Sequence, residues 1–400
     1  MNRNKKLGLL LAFFALSCMG VEAQNVWKGT WATAVEKTGK MDMPKESLSN
    51  RSCRQIIHVS FGGNEMRLKL SNEFGKHPVE IRSVYVADTD PEKNSGINAK
   101  TVKYLKFAGK KNVVLEAGKA LYSDVLKYVI KAGQRLTITI DYGENTPKNA
   151  TSHRGSRTTS YLVAQVNGKA VKPTDAAFGQ QENVDHWYNL SAIDVKTDAK
   201  TPVVAVLGNS ITDGRGSTTN MQNRWTDFLS DALNAEKPYG VLNLGIGGNC
   251  VVEGGLSEPA MKRFDRDILG QAGVDKLVIF EGTNDIGGSR GNYEHVADTL
   301  IACYKVLIAK AKAKGIKVYG ATITPTKGNS WFSYWHEAIR QEVNEWIRKG
   351  GFFDEIIDFD ELVRDHKDSQ RLKAEYSDDW LHLNPKGYEA MGRFAAEKLK

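Results

Sequence analysis

Two regions of the chain differ in the spacing of their apolar residues. From about Trp27 to Val166, apolar and polar residues alternate in short β-rich runs that are separated by glycines. These runs cover residues 55–60, 65–70, 79–86, 125–130 and 135–141. Several short strands at near-regular spacing, with no amphipathic helix among them, are typical of a β-sandwich or a jelly roll. The pattern therefore predicts an all-β domain.

Beyond Pro202 the pattern changes to apolar runs that alternate with longer amphipathic segments. The apolar runs are 203–207, 241–244, 276–280, 318–323 and 355–359, and the helical segments are 224–235, 293–313, 335–348 and 385–399. Strands that alternate with helices of this length predict βαβ units and a parallel sheet covered on both faces. In such sheets the functional groups gather at the carboxyl ends of the strands.

The 400 residues are enough for two domains of the usual size of about 100–200 residues each. Residues 167–185, which include Pro173, are predicted to form a loop, and residues 186–195 lead out of it. We therefore assign residues 24–195 to the β domain, residues 196–202 to a linker, and residues 203–400 to the α/β domain.

The first 23 residues have the three parts of a secretory signal peptide. Arg3, Lys5 and Lys6 precede an apolar run over residues 7–16, and the small residues that end at Ala23 are typical of a cleavage site. The apolar run is shorter than the roughly 20 residues of a membrane span. A lipidated Cys18 is an alternative that the residues before it fit poorly. We expect export to the periplasm or the medium after cleavage near Ala23, without a lipid anchor.

Charge and cysteine content exclude several classes of function. The net charge is +8, but the basic residues are scattered among acidic ones and form no nucleic-acid-binding arm. Once Cys18 is removed, Cys53, Cys250 and Cys303 remain, and none forms a Cys-x-x-Cys pair. This spacing indicates neither a disulfide framework nor a zinc site. Buried free thiols are favoured, and a single disulfide stays open.

The candidate chemistry begins at Ser210, which follows the first apolar run of the α/β region. A buried strand, an abrupt turn, a serine and a helix together expose the hydroxyl and leave backbone N–H groups free beside it. A serine in such a turn is also a common helix N-cap. Ser210 is therefore a candidate nucleophile only if the chain supplies a base and an oxyanion site.

Three further segments lie where such partners are needed. A glycine-rich turn, 243–249, follows the second apolar run, residues 281–285 follow the third, and residues 378–382 precede the last helix. Asp379 and His382 are three residues apart, so the carboxylate can hold one imidazole nitrogen while the other faces the serine. Each segment alone has an ordinary structural interpretation as a turn, a cap or a surface histidine.

Taken together, the four segments carry Ser, Gly, Asn and His in one order, and residues 203–400 resemble the SGNH, or GDSL-type, hydrolase superfamily. The resemblance implies a flavodoxin-like parallel-sheet domain that works without cofactor or metal. It also implies these roles: Ser210 as nucleophile, His382 as general base, Asp379 as its orienting carboxylate, and an oxyanion hole made by the backbone N–H groups of Ser210 and Gly248 and the amide of Asn284. In one departure, Asn209 stands where the usual motif has Asp, and we expect activity to survive it.

Other polar residues near these segments are less determined. Arg215 and Trp380 are candidates for contacting the substrate, and Asp213 is a candidate for bracing the nucleophile turn; a plain structural role is an equal alternative for Asp213 and Arg215. Asp285 is expected to brace its loop. Three other histidines have no metal-ligand spacing and are expected to be structural or solvent-exposed, namely His153, His186 and His336.

The all-β region more loosely resembles the amino-terminal domain of exported two-domain GDSL-type enzymes, through residues 70–75 and 132–138. The combined resemblance implies a secreted serine esterase that removes O-acetyl groups from a complex carbohydrate. The alternatives are a lipase or lysophospholipase, and an inert glycan-binding protein, against which the intact Ser210, Asp379 and His382 argue. We expect an acetylated polysaccharide or another ester as partner, and neither nucleic acid nor a membrane span. The sugar, the acyl group, the oligomeric state and any glycan binding by the β domain stay open.

Overall fold

The computed structural model describes residues 25–146, 149–291 and 293–400. The predicted signal peptide, residues 1–23, lies outside the described residues. Within the described part of the chain, every helix is too short or too polar to cross a bilayer.

The amino-terminal region consists of antiparallel β-structure. Its strands are β1 (Asn25–Ala32), β2 (Glu36–Lys37), β3 (Arg51–His58), β4 (Gly63–Ser71), β5 (Val79–Asp88), β6 (Lys103–Tyr104), β7 (Val113–Leu115), β8 (Ala120–Tyr122), β9 (Leu126–Ile130), β10 (Arg135–Tyr142), β11 (Thr151–His153), β12 (Ser160–Ala164), β13 (Glu182–Val184), β14 (Trp187–Tyr188) and β15 (Leu190–Asp198). Short 3₁₀ helices over Lys40–Asp42 and Ala99–Thr101 interrupt them.

These strands form two large sheets and one small sheet. The first has the order β1-β15-β4-β8, with β9 also beside β4, and the second has the order β13-β12-β3-β10-β5-β6, with β7 also beside β5. The small sheet has the order β14-β11-β2. Leu68 of the first sheet and Ile138 of the second belong to one hydrophobic core. Two sheets that share a core are a β-sandwich, as predicted, whereas jelly-roll connectivity stays a prediction.

Strand β4 shows why the alternating pattern was informative here. Met66, Leu68 and Leu70 are fully buried, while the intervening Arg67 and Lys69 are partly exposed. Successive side chains of a strand point to opposite faces, so this alternation places one apolar face on the core. The alternation of apolar and polar residues did not predict strands β12 and β15. Both strands are buried on both faces for most of their length, so apolar and polar residues do not alternate along them.

Strand β15 also changes the expected connection between the two regions. It runs through Asp198, and its residues Lys196 and Thr197 pair with Trp27 and Val26 of β1. Three residues of the expected linker 196–202 therefore belong to a sheet, and residues 199–202 make the connection. The pairing joins residues about 170 positions apart, which local composition does not reveal. The division of the chain into two domains stays a prediction.

The carboxy-terminal region is a parallel sheet with helices on both faces. Its strands are β16 (Val203–Gly208), β17 (Gly240–Gly245), β18 (Lys276–Phe280), β19 (Lys317–Ala321) and β20 (Glu355–Ile357), in the order β17-β16-β18-β19-β20. Its helices are α1 (Ser210–Asp213), α2 (Trp225–Asn234), α3 (Ala260–Phe264), α4 (Thr283–Gly287), α5 (Val296–Lys312), α6 (Tyr334–Lys349), α7 (Phe359–Val363) and α8 (Pro385–Leu399). A π-helical turn, Asp265–Leu269, continues α3, and short 3₁₀ helices cover Tyr293–His295 and Ala374–Tyr376. This confirms the predicted flavodoxin-like architecture.

Alternate residues of β16 face the two helical layers. Ala205 and Leu207 lie in a core with helices α3, α5 and α6, and Val204 and Val206 lie in a core with α2, α7 and α8. A strand covered on both faces needs apolar residues throughout, which explains the continuous run in the sequence. The last predicted strand, 355–359, ends early at β20, because the side chain of Asp358 caps α7 by accepting the N–H of Glu361.

The sheet order places a crevice beside β16. The chain leaves β16 for β17 on one side and later returns to β18 on the other, and ligands of open α/β sheets bind at such a switch point. The β-sandwich packs along the same sheet, where Gly29 of β1 donates its N–H to Ala272 O at 2.9 Å and Val241 of β17 donates its N–H to Ser60 Oγ at 3.1 Å. The two regions therefore share a packed interface.

Candidate active site

Ser210 is the first residue of helix α1, directly beyond β16. Asn209 caps this helix, since its Oδ1 accepts the N–H of Ile211 at 3.0 Å. Gly208 permits the sharp turn, because a Cβ at this position would overlap the side chain of Thr212. The local sequence thus holds the Ser210 hydroxyl at the carboxyl end of the central strand.

Three side chains form a continuous hydrogen-bonded series from this hydroxyl. Ser210 Oγ lies 2.8 Å from His382 Nε2, and His382 Nδ1 lies 2.7 Å from Asp379 Oδ2. The other oxygen of Asp379 accepts the backbone N–H of His382 at 2.7 Å and that of Leu381 at 3.0 Å. The short spacing from Asp379 to His382 is therefore closed into a turn that fixes the carboxylate against the imidazole.

The surroundings of the imidazole favour its neutral form. Burial lowers the pKa of His382, and the guanidinium groups of Arg215 and Arg157 lower it further, which together outweigh the stabilising charge of Asp379. For Asp379, burial raises the pKa, but its hydrogen bonds from His382 and from backbone N–H groups lower it more, so the carboxyl is held below its ordinary range. A neutral imidazole beside an ionised carboxylate is the state that can accept a proton from Ser210.

Hydrogen-bond donors lie on either side of the serine. The N–H of Ser210 has no acceptor within its own helix, as is general for a first turn. Gly248 has φ +70°, and in the described chain its N–H donates to no other backbone group. Asn284, in the first turn of α4, donates through Nδ2 to Asn249 O at 2.7 Å, which leaves the second N–H of the amide free. Ser210, Gly248 and Asn284 line one cleft of about 490 Å³, together with His382 and Asp379.

A buried arginine joins the loops that carry these donors. Arg263 of α3 donates to Asn249 Oδ1 at 2.9 Å, to Leu244 O at 2.8 Å and to Gly208 O at 3.2 Å. It therefore connects the ends of β16 and β17 with the Gly248 loop. Asp285 supports the same loop by accepting the N–H of Val251 at 2.9 Å, as expected for a bracing group.

Behind the nucleophile, Asn209 lies beside a second buried acid, Glu281. Asn209 Nδ2 and both carboxylate oxygens of Glu281 have no hydrogen-bond partner among the described residues. Burial raises the pKa of Glu281 well above its ordinary range, although the charge of Arg263, 3.7 Å away, partly opposes this. The pKa of Glu281 is thus held above its ordinary range, and the neutral amide of Asn209 adds no further charge beside this buried acid.

The β-sandwich contributes several residues to the cleft that sequence reasoning did not assign to the site. They are Glu36, Asp42, Arg154, Gly155, Arg157 and His186. Arg154 holds Glu36 through Nε and a terminal nitrogen, both at 2.9 Å, and His186 Nδ1 lies 2.8 Å from Arg154 O. The only sequence signal was the polar cluster at residues 151–157, which has no motif character of its own.

His153 and Asp213 join the sandwich to the helix that carries Ser210. His153 Nε2 lies 2.9 Å from Asp213 Oδ1, and its Nδ1 lies 2.8 Å from Ala34 O, so both nitrogens face acceptors. Burial lowers the pKa of His153, but the charge and hydrogen bond of Asp213, together with the charge of Glu36, raise it more, and the pKa of Asp213 is held below its ordinary value. Arg157 adds a contact to Asp213 at 3.2 Å. Asp213 therefore contacts His153 and Arg157 of the sandwich, which is the bracing role expected for it at the nucleophile turn.

The two residues expected to contact the substrate, Arg215 and Trp380, lie in different surroundings. Arg215 is exposed and lines the cleft, near enough for its charge to lower the pKa of His382. Trp380 does not line the cleft, because its backbone takes a left-handed turn with φ +62°. Its ring instead lies against Gly328 and under the guanidinium of Arg371, whose central carbon is 3.7 Å from the ring centroid.

The remaining sequence expectations concern cysteines and metals. Cys53, Cys250 and Cys303 are all free thiols, and the first two are buried. His336 is buried, and its Nδ1 lies 2.8 Å from Trp331 O. Across residues 25–146, 149–291 and 293–400, His, Cys, Asp and Glu side chains form no group that could hold a metal ion.

Comparison with known proteins matches the segment that carries Ser210, Asp379 and His382. Residues 206–390 match the model of the GDSL-like Lipase/Acylhydrolase family. A GDSL-like lipase from Bacteroides thetaiotaomicron is 22% identical over 49% of this chain and 88% of that chain, with a TM-score of 0.37. A carbohydrate acetylesterase from Sinorhizobium meliloti is 17% identical over 50% of this chain and 98% of that chain, with a TM-score of 0.38. None of the curated proteins compared with the chain matches it.

Proposed function

Given that residues 206–390 match the GDSL-like Lipase/Acylhydrolase family, we propose that the protein is an exported serine esterase that removes O-acetyl groups from a complex carbohydrate. The observation that carries the proposal is the hydrogen-bonded series from Ser210 through His382 to Asp379 at the floor of an open cleft. An attacking oxygen, a neutral base and an orienting carboxylate in this order are the parts that acyl transfer needs.

In the acylation step, His382 Nε2 accepts the proton of Ser210 while Oγ attacks the ester carbonyl. Negative charge then develops on the former carbonyl oxygen, where the N–H groups of Ser210 and Gly248 and the amide of Asn284 converge. Each such donor contributes about 10²–10³ in turnover. His382 next gives its proton to the departing alcohol, and the acyl group remains on Ser210.

Deacylation repeats these steps with water as the nucleophile. His382 takes a proton from the water, which attacks the acyl-enzyme, and the acid leaves as Ser210 regains its proton. Asp379 stays ionised throughout and stabilises the imidazolium that forms twice in each cycle. The cycle needs no further group.

The cleft supports a short acyl group on a polar alcohol. Its lining includes charged side chains from both regions, among them Glu36, Arg154, Arg157 and Arg215. A long acyl chain would leave water only for an extended apolar surface, because the gain depends on the apolar area removed from water. This lining therefore favours a carbohydrate acetyl ester over a lipid ester.

Ser210→Ala is the direct test, with Ser217→Ala as a matched control. Ser217 lies seven residues further on and its hydroxyl has no hydrogen-bond partner among the described residues. Mature protein should hydrolyse 4-nitrophenyl acetate, Ser217→Ala should keep this activity, and Ser210→Ala should lose it while keeping its circular dichroism spectrum. Full activity in Ser210→Ala would refute the assignment. An acyl-length series that favours long chains would replace the acetylesterase by a lipase.

A further inference from the structure

Aromatic side chains are concentrated on one exposed segment next to the cleft. We call Trp331, Phe332, Tyr334, Trp335 and the neighbouring Tyr293 the aromatic strip. Tyr334 is 75% exposed and Trp335 is 65% exposed. Large aromatic side chains are normally well buried, and a contiguous exposed apolar patch marks an interaction site.

The rings of the strip are held in fixed orientations. Tyr293 and Trp335 lie parallel, with an interplanar angle of 1° and centroids 5.9 Å apart, and Phe332 meets Tyr334 edge-on at 5.6 Å. Ser333 caps helix α6 by accepting the N–H of His336 at 3.0 Å. The segment is therefore ordered before any partner arrives, which reduces the entropy lost on binding.

The strip is continuous with the catalytic cleft. Trp331 lines the cleft together with Asn329 and Ser330. Its ring lies flat against α4, where a Cβ on Gly287 would overlap it. Because α4 also carries Asn284, the strip begins on the oxyanion side of the cleft and continues outward through Tyr334 and Trp335.

The chemistry of the strip favours one kind of occupant. Flat exposed rings offer apolar faces on which the C–H faces of sugar rings can stack, and the adjoining Asn329, Ser330 and Ser333 can bond to hydroxyl groups. Residues 329–336 contain no lysine or arginine. Nucleic acids and anionic membranes are bound by surfaces that combine aromatic with basic residues, so neither fits this segment.

We propose that the aromatic strip binds sugar residues adjacent to the one that carries the scissile ester, so that the preferred substrate is a polysaccharide chain. This inference depends on the proposed esterase function and adds an extended binding site to it. Trp331 contacts the chain at the cleft, and Tyr334 and Trp335 contact it further out.

The test compares a polymer with a small ester. Acetate release is measured on acetylated xylan, glucomannan and pectin, and the best of these is compared with 4-nitrophenyl acetate, which is too small to span the cleft and the strip. Trp335→Ala should lower the ratio of polymer to aryl-ester kcat/KM about tenfold, which corresponds to about 1.4 kcal/mol. Trp335→Phe should recover most of the ratio because a ring remains.

Phe352→Ala is the matched control. Phe352 is 39% exposed and lies just beyond the carboxyl end of α6, whereas Trp335 lies in the first turn of that helix, so its removal should leave the ratio unchanged. A direct binding measurement uses Ser210→Ala, which cannot turn over the substrate. In gels that contain the polysaccharide, this protein should be retarded, and adding Trp335→Ala should abolish the retardation.

Three outcomes would overturn the inference. An unchanged ratio in Trp335→Ala, or an equal loss on both substrates, would give Trp335 a structural role only. Hydrolysis of 4-nitrophenyl acetate without release from any polymer would remove the polysaccharide while leaving the esterase intact. Absence of hydrolysis of either substrate would instead refute the proposed function itself.

Discussion

Replacing Asn209 by Asp, the residue that the usual GDSL-type motif has at this position, is expected to destabilise this protein. The Asp side chain keeps the cap on Ile211, since only Oδ1 makes that contact. It also places a second carboxyl group beside Glu281, which is buried and whose pKa burial already raises well above its ordinary range. Neither acid would have a hydrogen-bonded cation, because the nearest guanidinium, Arg263, is 3.7 Å from Glu281 and bonds to other groups.

The new carboxyl group can stay ionised or become protonated in the folded protein, and the smaller of these two free-energy costs sets the loss of stability. Burying an unpaired charge costs about 3–5 kcal/mol. Keeping the new carboxyl protonated costs about 4 kcal/mol at pH 7 and about 1.5 kcal/mol at pH 5, given an ordinary pKa of about 3.9. The folded pKa of the new acid is raised, so the folded state binds its proton more tightly and stability is lost as pH rises. We expect Asn209→Asp to lower the free energy of unfolding by about 3–4 kcal/mol at pH 7 and by less than half of that at pH 5.

Urea unfolding followed by tryptophan fluorescence at both pH values measures this difference. Asn209→Ser is the control, because serine also caps a helix but adds no charge. Adding Glu281→Gln to Asn209→Asp should restore part of the stability by removing the carboxyl pair. The reasoning is refuted if Asn209→Asp unfolds like wild type at pH 7, or if its deficit does not change with pH.

Two further predictions concern catalysis. Because the pKa of His382 is lowered and the base must be neutral, kcat/KM for 4-nitrophenyl acetate should rise with pH through an apparent pKa below 6.5; a limb at or above that value would contradict the described surroundings of the imidazole. Gly155→Ala would push a Cβ into the Asp213 carboxylate and shift helix α1, so it should lower kcat about 100-fold. Gly254→Ala is the control, because a Cβ at Gly254 would meet open space while its positive φ, which Gly155 lacks, adds backbone strain without a clash; equal losses in both variants would exclude the clash as the cause.

Some of the candidate site was predictable because it depends on short distances along the chain. Asp379 and His382 are three residues apart, and one turn closes their contact. Ser210, Gly248 and Asn284 each follow a strand that can be read from its apolar run, and parallel strands bring their carboxyl ends to one edge. Trp380 shows the limit of such reasoning: it adjoins Asp379 in sequence, yet its left-handed backbone turns the ring towards Arg371 and away from the cleft.

The sequence by itself therefore determined the α/β architecture, the order of its functional segments and the sandwich-like character of the first region. The tertiary structure alone decided what surrounds them: that Arg154 and Arg157 reach the cleft from the sandwich, that His153 pairs with Asp213 beneath the nucleophile, and that Asn209 faces Glu281. The physical reason is the separation along the chain over which each kind of interaction acts. Periodicity and turn chemistry act over a few residues, whereas these contacts join side chains about 60–70 positions apart: Asn209 meets Glu281 only once the parallel sheet has formed, and His153 meets Asp213 only once both regions have packed.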